Sequence, residues 1–230
     1  MNNPGKNYCL KVWGDFAAFN RPELKVERVS YDVITPSAAR AIFSAIFWKP
    51  AIRWHITRIE VLNPIAFTSI RRNEVAKLAS PQTKIYIEDS RQQKSGICLT
   101  NVAYRLFADM EYLPPEERPQ YDPTKGEPEN EIKYFSMFER RAANGQCFFT
   151  PYLGCREFSA DFQFIPETEL EAERAASPPL GSEHDRDLGL VLYDMDFDAN
   201  PRSPDPMFFW AKMVNGVVVV PNINSREVLK

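Results

Sequence analysis

The sequence is poor in the residue types that build metal centres and disulfide frameworks. Its 230 residues include two histidines and four cysteines, Cys9, Cys98, Cys147 and Cys155, and no two cysteines form a Cys-x-x-Cys pair. A structural zinc site is therefore not expected. We expect the four cysteines to be free thiols in a reducing compartment, and we predict no metal and no other cofactor.

Long apolar runs are missing as well. No hydrophobic segment approaches the length of a membrane-spanning helix, and the polar first residues do not resemble a signal peptide. We therefore expect a cytoplasmic protein that makes no membrane contact. Glycine is scarce, with 9 residues against 19 prolines, which predicts long and stiff connections between elements. The length suits one domain, with or without an appended subdomain.

Charge is unevenly distributed along the chain, although the formal net charge is only -3. Residues 21–73 contain nine Lys or Arg against four Asp or Glu, whereas residues 157–205 contain thirteen Asp or Glu against three Arg. A local basic field attracts phosphates, so the near-neutral average does not exclude nucleic acid binding. Charge runs are more often solvated surfaces, and we prefer that interpretation for the acidic half.

Residues 29–73 carry the clearest local pattern, a helix followed by a strand. Thr35 or Ser37 can cap the helix, and Pro36 suits its first turn. The segment Trp48-Lys49-Pro50 ends it, because the residue before a proline avoids the helical region. Apolar residues recur at helical spacing at Ala39, Ile42, Phe43 and Ile46. This stretch therefore predicts a helix that buries one face.

The first 160 residues predict a ferredoxin-like (RRM-like) domain of the α+β class. Strands are predicted over residues 8–14, 52–61, 97–110 and 146–152, with a bulge at Thr57-Arg58 in the second. A second helix is predicted over residues 129–144, with Gly145 as its C-terminal cap and the apolar stripe Ile132, Phe135, Phe138 and Ala142. The order β-α-β-β-α-β is the ferredoxin-like one. Residues 75–96 are predicted to be an inserted loop or mobile hairpin.

Residues 161–230 predict an antiparallel β-rich extension. The segment 158–164 alternates strictly between apolar and other residues, and so does the segment 188–192. Between them, residues 167–187 are acidic and interrupted by prolines, which is typical of a surface segment. Asn215-Gly216, between two apolar runs, is a strong hairpin signal.

Several segments of the chain resemble one protein family. They are Trp13-Gly14-Asp15-Phe16, KVERVSYDVITPSAAR, IFWKPAIRW, TSIRRNEV and GQCFFTPYLGCREFSADF from Gly145. In sequence and order they are similar to the type I-C CRISPR-associated proteins of the Cas-five family, in the RAMP superfamily of ferredoxin-like RNA-binding proteins. The resemblance covers most of the first two-thirds of the chain, and the last third is less diagnostic.

The resemblance implies a metal-independent endoribonuclease that cleaves CRISPR repeat RNA, the precursor of crRNA. It also implies that the protein stays bound to the 5′ handle of its product in a type I-C Cascade-type complex, with contacts to other subunits and to DNA. The reaction needs a base for a 2′-hydroxyl, cations for the charge that gathers on the phosphate, and an acid for the departing 5′-oxygen.

Three positions correspond to the catalytic residues of the family. Members use a tyrosine at the end of the first helix and an adjacent lysine and histidine on the second. Here the tyrosine position is Phe47, the lysine is Lys133 and the histidine position is Tyr134. Phe47 cannot transfer a proton, and a tyrosine is a poorer proton shuttle near neutral pH than imidazole. We predict cleavage by Lys133 and Tyr134, with Arg140 and Arg141 on the same helix face, away from the apolar stripe.

Eight cations are candidate RNA contacts. Each is singly more often a solvated residue, but within the family segments they favour phosphate binding. They are Lys25, Arg28, Arg40, Lys49, Arg71, Arg72, Arg140 and Arg141. His55, on the polar side of a predicted strand, and Tyr31, before the first helix, are reserve candidates for the missing base.

A second interpretation is a binding subunit with little or no cleavage of its own. It would cap the 5′ handle of crRNA within the complex, and the residues at positions Phe47 and Tyr134 favour it. In either case, residues 75–96 would be an arm that contacts neighbouring subunits. A general DNA-binding or DNA-cleaving role is a weaker third possibility, because no cluster of metal-ligating carboxylates supports it.

Overall fold

The structure is a computed structural model that describes residues 6–24, 27–78, 80–81, 84–118, 130–197 and 199–230. Its elements begin with β1 (Lys6–Ala17), β2 (Arg28–Val29), α1 (Pro36–Ile46), β3 (Ile52–Val61) and β4 (Phe67–Val75). Then follow α2 (Ile87–Ser90), β5 (Arg91–Tyr112), α3 (Glu131–Ala143), β6 (Asp161–Ile165) and α4 (Leu170–Ala176). The last strands are β7 (Arg186–Met195), β8 (Pro206–Val214), β9 (Val217–Val219) and β10 (Val228–Leu229).

The core is ferredoxin-like, as the sequence predicts. Its elements follow in the order β1, α1, β3, β5, α3 and β6, and the four strands lie side by side as β3-β5-β1-β6. All three neighbouring pairs are antiparallel. The register of β3 shifts between Ile56 and Arg58, so the predicted bulge is present. The apolar sides of α1 and α3 pack on one face of this sheet.

Helix α1 forms for the reasons visible in the sequence. The Thr35 hydroxyl accepts a hydrogen bond from the Ala38 N–H at 3.3 Å, and Pro36 occupies the first turn. The predicted apolar face is buried: Ala39, Ile42, Phe43 and Ile46. The helix ends at Phe47, whose extended backbone turns the chain toward β3.

The predicted strand over residues 146–152 is wrong. This segment forms bends and a single bridge between Tyr152 and Ser159, and the fourth core strand is β6, which pairs with β1. The physical reason lies in the backbone hydrogen bonds, because Phe148 donates to the carbonyl of Ala45 at 2.7 Å and so binds α1 rather than a strand. The division of the chain at residue 160 stays a prediction.

Helix α3 is present where predicted, but its apolar stripe is wrong in its first member. Ile132 is 61% exposed, whereas Tyr134, Phe138 and Ala142 are buried. Ring packing sets this rotation of the helix, because the ring centre of Phe138 lies 4.7 Å from that of Trp54. The predicted cap at Gly145 is confirmed, with a φ of 64° and an N–H bonded to the carbonyl of Ala142.

The segment predicted as a loop or mobile hairpin belongs to a longer hairpin. Strand β4 pairs with the first part of β5 from Phe67 opposite Leu99 to Val75 opposite Arg91. The third core strand therefore begins at Arg91 rather than at residue 97. Every second residue of β4 is exposed and the others are half-buried, so the strand carries no apolar alternation that would reveal it.

The C-terminal strands extend the sheet of the core. In the described residues the order is β10-β8-β9-β3-β5-β1-β6, with β7 paired to β8. The predicted hairpin at Asn215-Gly216 is confirmed, since both residues have positive φ, 49° and 69°. Among the helices of the described residues, none combines the length and apolar character that a membrane span requires.

Candidate functional site

The end of α1 and one face of α3 meet around Phe47. Its N–H donates to the carbonyl of Phe43 at 2.9 Å, and its own carbonyl accepts a hydrogen bond from the indole nitrogen of Trp54 at 3.0 Å. The Phe47 ring is fully buried. Its centre lies 6.4 Å from the ring centre of Tyr134 on α3. Phe47 and Tyr134, two of the three catalytic positions predicted from the sequence, are therefore in ring contact.

Lys133 and Tyr134 do not share one surface. Tyr134 is buried and packs against Tyr112 of β5, with ring centres 5.7 Å apart. Lys133 is exposed, because consecutive helical residues diverge by about 100°. The expectation that both lie away from the apolar side of α3 is wrong for Tyr134, since its ring is part of that side. Lys133 stands at the solvent rim beside it.

Arg141 extends this arrangement into the last turn of α3. It follows Tyr134 by seven residues, so both lie on the same helix face. Its guanidinium carbon is 6.0 Å from the ring centre of Phe47. Its Nε atom is buried and has no hydrogen-bond partner among the described residues. Tyr134 and Arg141 therefore place a phenol and a guanidinium beside the end of α1, and Lys133 is the exposed neighbour of Tyr134 in the sequence.

The loop after α3 is attached to the same place. The N–H of Gln146 donates to the carbonyl of Arg141 at 2.9 Å, and that of Phe148 donates to the carbonyl of Ala45 in α1. Phe148 is 82% exposed and Phe149 is 46% exposed. The sequence interpretation missed this loop as part of the site because it assigned the residues to a strand. The sequence feature that could have revealed this loop is the pair Phe148-Phe149, which follows Arg140 and Arg141.

Six of the eight predicted RNA-contact residues fall into two groups. One group lies at the ends of the helices and contains Lys49, Arg140 and Arg141. The other lies on the β4–β5 hairpin and its neighbour β2 and contains Arg28, Arg71 and Arg72. Lys25 lies outside the described residues.

Ion pairs separate these cations further. Lys49, Arg71 and Arg140 are exposed and form no ion pair with a described residue. Arg28 pairs with Glu74 at 3.3 Å, and Arg72 pairs with Glu157 at 2.5 Å. These two cations lie at the surface in contact with acids of their own chain.

Arg40 belongs to neither group. Its guanidinium makes two hydrogen bonds to the carboxylate of Asp194 on β7, at 2.6 and 2.9 Å. The pair lines a cavity of about 230 Å³ between α1, β3 and β7, together with His55. The structure therefore brings Arg40 to the acidic part of the chain and not to the other candidate RNA contacts.

The two reserve candidates for the base are engaged elsewhere. The Nε2 atom of His55 lies 2.7 Å from a carboxylate oxygen of Glu111. Tyr31 is buried beneath the guanidinium of Arg21, whose carbon is 4.3 Å from the ring centre. Burial raises the pKa of the Tyr31 phenol, so that it holds its proton more firmly than a free tyrosine.

A second charged cluster lies on the opposite face of the core sheet. Arg105, fully buried, donates from Nε to Glu60 at 2.7 Å, and Arg174 of α4 donates to the same carboxylate at 2.5 Å. The guanidinium of Arg58 covers the ring of Phe107 at 3.8 Å. Burial, with the charge of Glu60, raises the pKa of the neighbouring Cys9 thiol to about 12. This cluster fixes α4 on the sheet.

Metal ligands do not assemble in the part of the chain that the structure describes. No group of three or more His, Cys, Asp or Glu side chains there has the arrangement that could hold a metal ion. The groups that the structure places around Phe47 are the guanidinium of Arg141, the phenol of Tyr134 and the loop after α3 with its exposed rings.

Comparison with known proteins identifies the family. The family model described as CRISPR-associated protein (Cas_Cas5) matches residues 8–221. A protein of Mannheimia succiniciproducens named CRISPR pre-crRNA endoribonuclease Cas5d is 45% identical, over 95% of this chain and 96% of its own length. A protein of Thermus thermophilus with the same name is 38% identical, over 96% of this chain and 94% of its own length.

Solved structures with the same fold agree with these relatives. A crystal structure described as that of a CRISPR-associated protein superposes with a TM-score of 0.71 at 20% identity, covering 100% of both chains. A chain of a CRISPR RNA-guided surveillance complex superposes with a TM-score of 0.52 at 13% identity, covering 94% of this chain and 90% of that one. At these identities the superpositions show the fold. The match of the family model and the identity to the two relatives show that the chain belongs to the Cas5 family of CRISPR-associated proteins.

Proposed function

We propose that this protein is a pre-crRNA endoribonuclease that cleaves CRISPR repeat RNA without a metal ion. The observation that carries the proposal is the 45% identity, over nearly the whole chain, to a relative named for this activity. The contacts of Tyr134 and Arg141 with Phe47 at the end of α1 support it, and so does the exposed Lys133 next to Tyr134 in the chain, because cations suit a reaction that gathers negative charge on a phosphate.

The proposed reaction is an attack of a 2′-oxygen, whose hydroxyl proton passes to water, on the adjacent phosphorus. The bond from phosphorus to the 5′-oxygen breaks, and the products carry a 2′,3′-cyclic phosphate and a 5′-hydroxyl. Lys133, exposed beside the site, is proposed to stabilise the phosphate charge and to protonate the departing 5′-oxygen. Arg141 holds the phosphate, and Tyr134 and Phe47 position the helices that carry these cations.

The proposed partners are the crRNA and the other subunits of a type I-C complex. After cleavage the protein would keep the 5′ handle bound and join the complex in the cytoplasm, with DNA contacts made there. The exposed cations Lys49, Arg71 and Arg140 support RNA binding. The long β4–β5 hairpin is the element proposed to reach neighbouring subunits.

One observation favours a second candidate function, a handle-binding subunit that does not cleave. Phe47 has no hydroxyl at the position where relatives of the Cas-five family carry a tyrosine, and the Tyr134 side chain is only 5% exposed. If cleavage requires a proton transfer by one of these two groups, binding remains and cleavage is lost.

The test is incubation of the protein with a labelled repeat hairpin in EDTA. The wild-type protein is expected to make a single cut that leaves a 2′,3′-cyclic phosphate. Lys133→Ala is expected to slow the cut by about a hundredfold or more, which is typical of a lost general acid. Lys212→Ala, which removes an exposed lysine of β8 in the acidic half, is the matched control and should cut like the wild type.

A further variant separates the two candidate functions. Phe47→Tyr adds the hydroxyl that the family position carries, on a ring whose centre lies 6.0 Å from the guanidinium carbon of Arg141. Faster cutting by Phe47→Tyr would show that the site is catalytic and lacks this group. Tight binding of the hairpin without any cut, in the wild type and in Phe47→Tyr, would establish the handle-binding subunit instead.

A further inference from the structure

Two neighbouring phenylalanines expose their rings in the loop between α3 and β6. Phe148 is 82% exposed and Phe149 is 46% exposed, and their ring centres lie 6.2 Å apart. The ring of Tyr152 continues the row, 6.5 Å from that of Phe149. Single exposed phenylalanines are common on protein surfaces. A row of three aromatic rings is a larger apolar surface, and such surfaces are typical of binding sites.

The loop holds these rings in place at both ends. At its start, Gly145 adopts a positive φ that turns the chain out of α3, and the Phe148 N–H is bonded to the carbonyl of Ala45. At its end, Leu153 is fully buried, and its carbonyl accepts the N–H of Ala18 in the segment after β1 at 3.0 Å. The rings are therefore presented by an anchored backbone, so that little ordering is needed when a ligand binds.

The charge around the rings selects the kind of ligand. Residues 140–156 contain three arginines, Arg140, Arg141 and Arg156, and no Asp or Glu. Exposed aromatic rings beside cations are the combination that binds unpaired nucleic acid, because bases stack on the rings while the cations contact phosphates. The loop also contacts the last turn of α1, because the Phe148 N–H is bonded to the carbonyl of Ala45, two residues before Phe47.

We propose that Phe148 and Phe149 form a stacking site for unpaired bases of the substrate RNA, adjacent to the bond that is cut. This inference rests on the proposed function, since it specifies which nucleotides that site recognises. Stacking tolerates any base, because every base has an aromatic face. The site therefore selects for single-stranded nucleotides next to the base-paired stem of a hairpin and not for a particular base.

The test uses a repeat RNA with 2′-O-methyl groups throughout, which blocks 2′-oxygen attack, and with 2-aminopurine at one unpaired position at a time. Stacking on an aromatic ring changes the fluorescence of 2-aminopurine. The full-length wild-type protein is expected to change it strongly at one or two adjacent unpaired positions. Phe148→Leu and Phe149→Leu keep an apolar side chain but remove the ring, and each should weaken binding about tenfold.

The matched control is Phe197→Leu, which removes a similarly exposed phenylalanine after β7 in the acidic part of the chain. It should bind and stack like the wild type. Wild-type affinity and unchanged fluorescence in both loop variants would overturn the stacking site. Unchanged RNA binding with loss of a co-purifying protein subunit would also overturn it, because the rings would then be a protein contact.

Cleavage of the unmodified repeat, scored in parallel, keeps this proposal apart from the proposed function. A wild-type protein that cuts while the leucine variants bind normally refutes stacking alone. A wild-type protein that leaves the repeat uncut, while fluorescence still reports stacking, refutes the nuclease activity and upholds the stacking site.

Discussion

At the scale of single residues, Glu60 is a buried carboxylate outside the candidate site that two arginines hold in place. Its carboxylate is 2% exposed and accepts hydrogen bonds from both Arg105 and Arg174. Arg105 is itself fully buried, and its Nη1 donates to the carbonyl of Ser177 at 2.7 Å. A buried guanidinium that loses its closest carboxylate is strongly unfavourable, because it has given up hydration without an equally close opposite charge.

We expect Glu60→Ala to lower the free energy of unfolding by about 3–5 kcal/mol, since it leaves the buried Arg105 with only the longer ion pair to Glu173, at 3.9 Å. Urea denaturation followed by circular dichroism measures this change. Glu171→Ala is the control, because Glu171 pairs with the same Arg174 at 3.3 Å but is largely exposed. Its effect should stay within about 0.5 kcal/mol. Similar losses for both variants would show that burial of Glu60 is not what matters.

The burial of some site residues could be predicted from the sequence, and that of others could not. The burial of Phe47 could be expected, because it lies beside the apolar stripe of α1. The burial of Tyr134 could not, since a phenol between Lys133 and Phe135 fits either side of a helix. Its side is decided by the rings of Phe47 and Tyr112, which come from distant parts of the chain. The catalytic and RNA-contact assignments stay predictions.

At the scale of elements, the turn between β8 and β9 has little tolerance for change. Gly216 has a φ of 69°, and a Cβ atom there would lie 2.5 Å from the backbone nitrogen of Leu180. Gly189 in β7 has nearly the same φ, 68°, but a Cβ atom there would meet nothing within 4 Å. The two glycines therefore have the same backbone conformation and differ in how close neighbouring atoms would lie to an added Cβ.

We expect Gly189→Ala to cost about 1–2 kcal/mol, the price of a left-handed backbone with a side chain. Gly216→Ala should cost clearly more, because the segment around Leu180 must also move away from the turn. The midpoints of urea unfolding compare the two variants directly. Equal midpoints would mean that the contact with Leu180 is readily relieved.

Elements with strong local signals could be predicted, and others could not. Helix α1 has a threonine cap, a proline in its first turn and a regular apolar face, so its position follows from the sequence. Strand β4 has solvent on much of both faces, so its residues show no period that distinguishes a strand from a loop. The segment 146–152 has a strand-like composition but bonds to a helix end, which only the tertiary structure reveals.

At the scale of the whole molecule, some cations of the basic part are paired with carboxylates of the acidic part and others are not. The hairpin and the helix ends carry the unpaired cations named above, whereas β7 places Asp194 against Arg40. Arg71 is exposed and forms no ion pair with a described residue, so it is free to contact a phosphate. Arg40 would first have to leave a carboxylate that holds it by two hydrogen bonds.

We expect Arg71→Ala to weaken binding of repeat RNA and to reduce the slope of log K against log salt by about 1, as for the loss of one phosphate contact. Arg40→Ala is expected to leave the slope unchanged. Affinities measured by filter binding at four salt concentrations give both slopes. The reverse result, a slope that changes only with Arg40→Ala, would place a phosphate of the RNA at Arg40 and contradict the proposed contact at Arg71.

The pairing of β9 with β3 has a consequence for synthesis on the ribosome. Glu60 and Val217 are register partners, and the Val61 N–H donates to the carbonyl of Gly216. The ribosome makes β3 long before β9, so part of one edge of β3 stays open until the end of translation. An open edge can pair with a strand of another nascent chain. Truncated chains that end before β9 are therefore prone to aggregate, even when they contain every strand of the core.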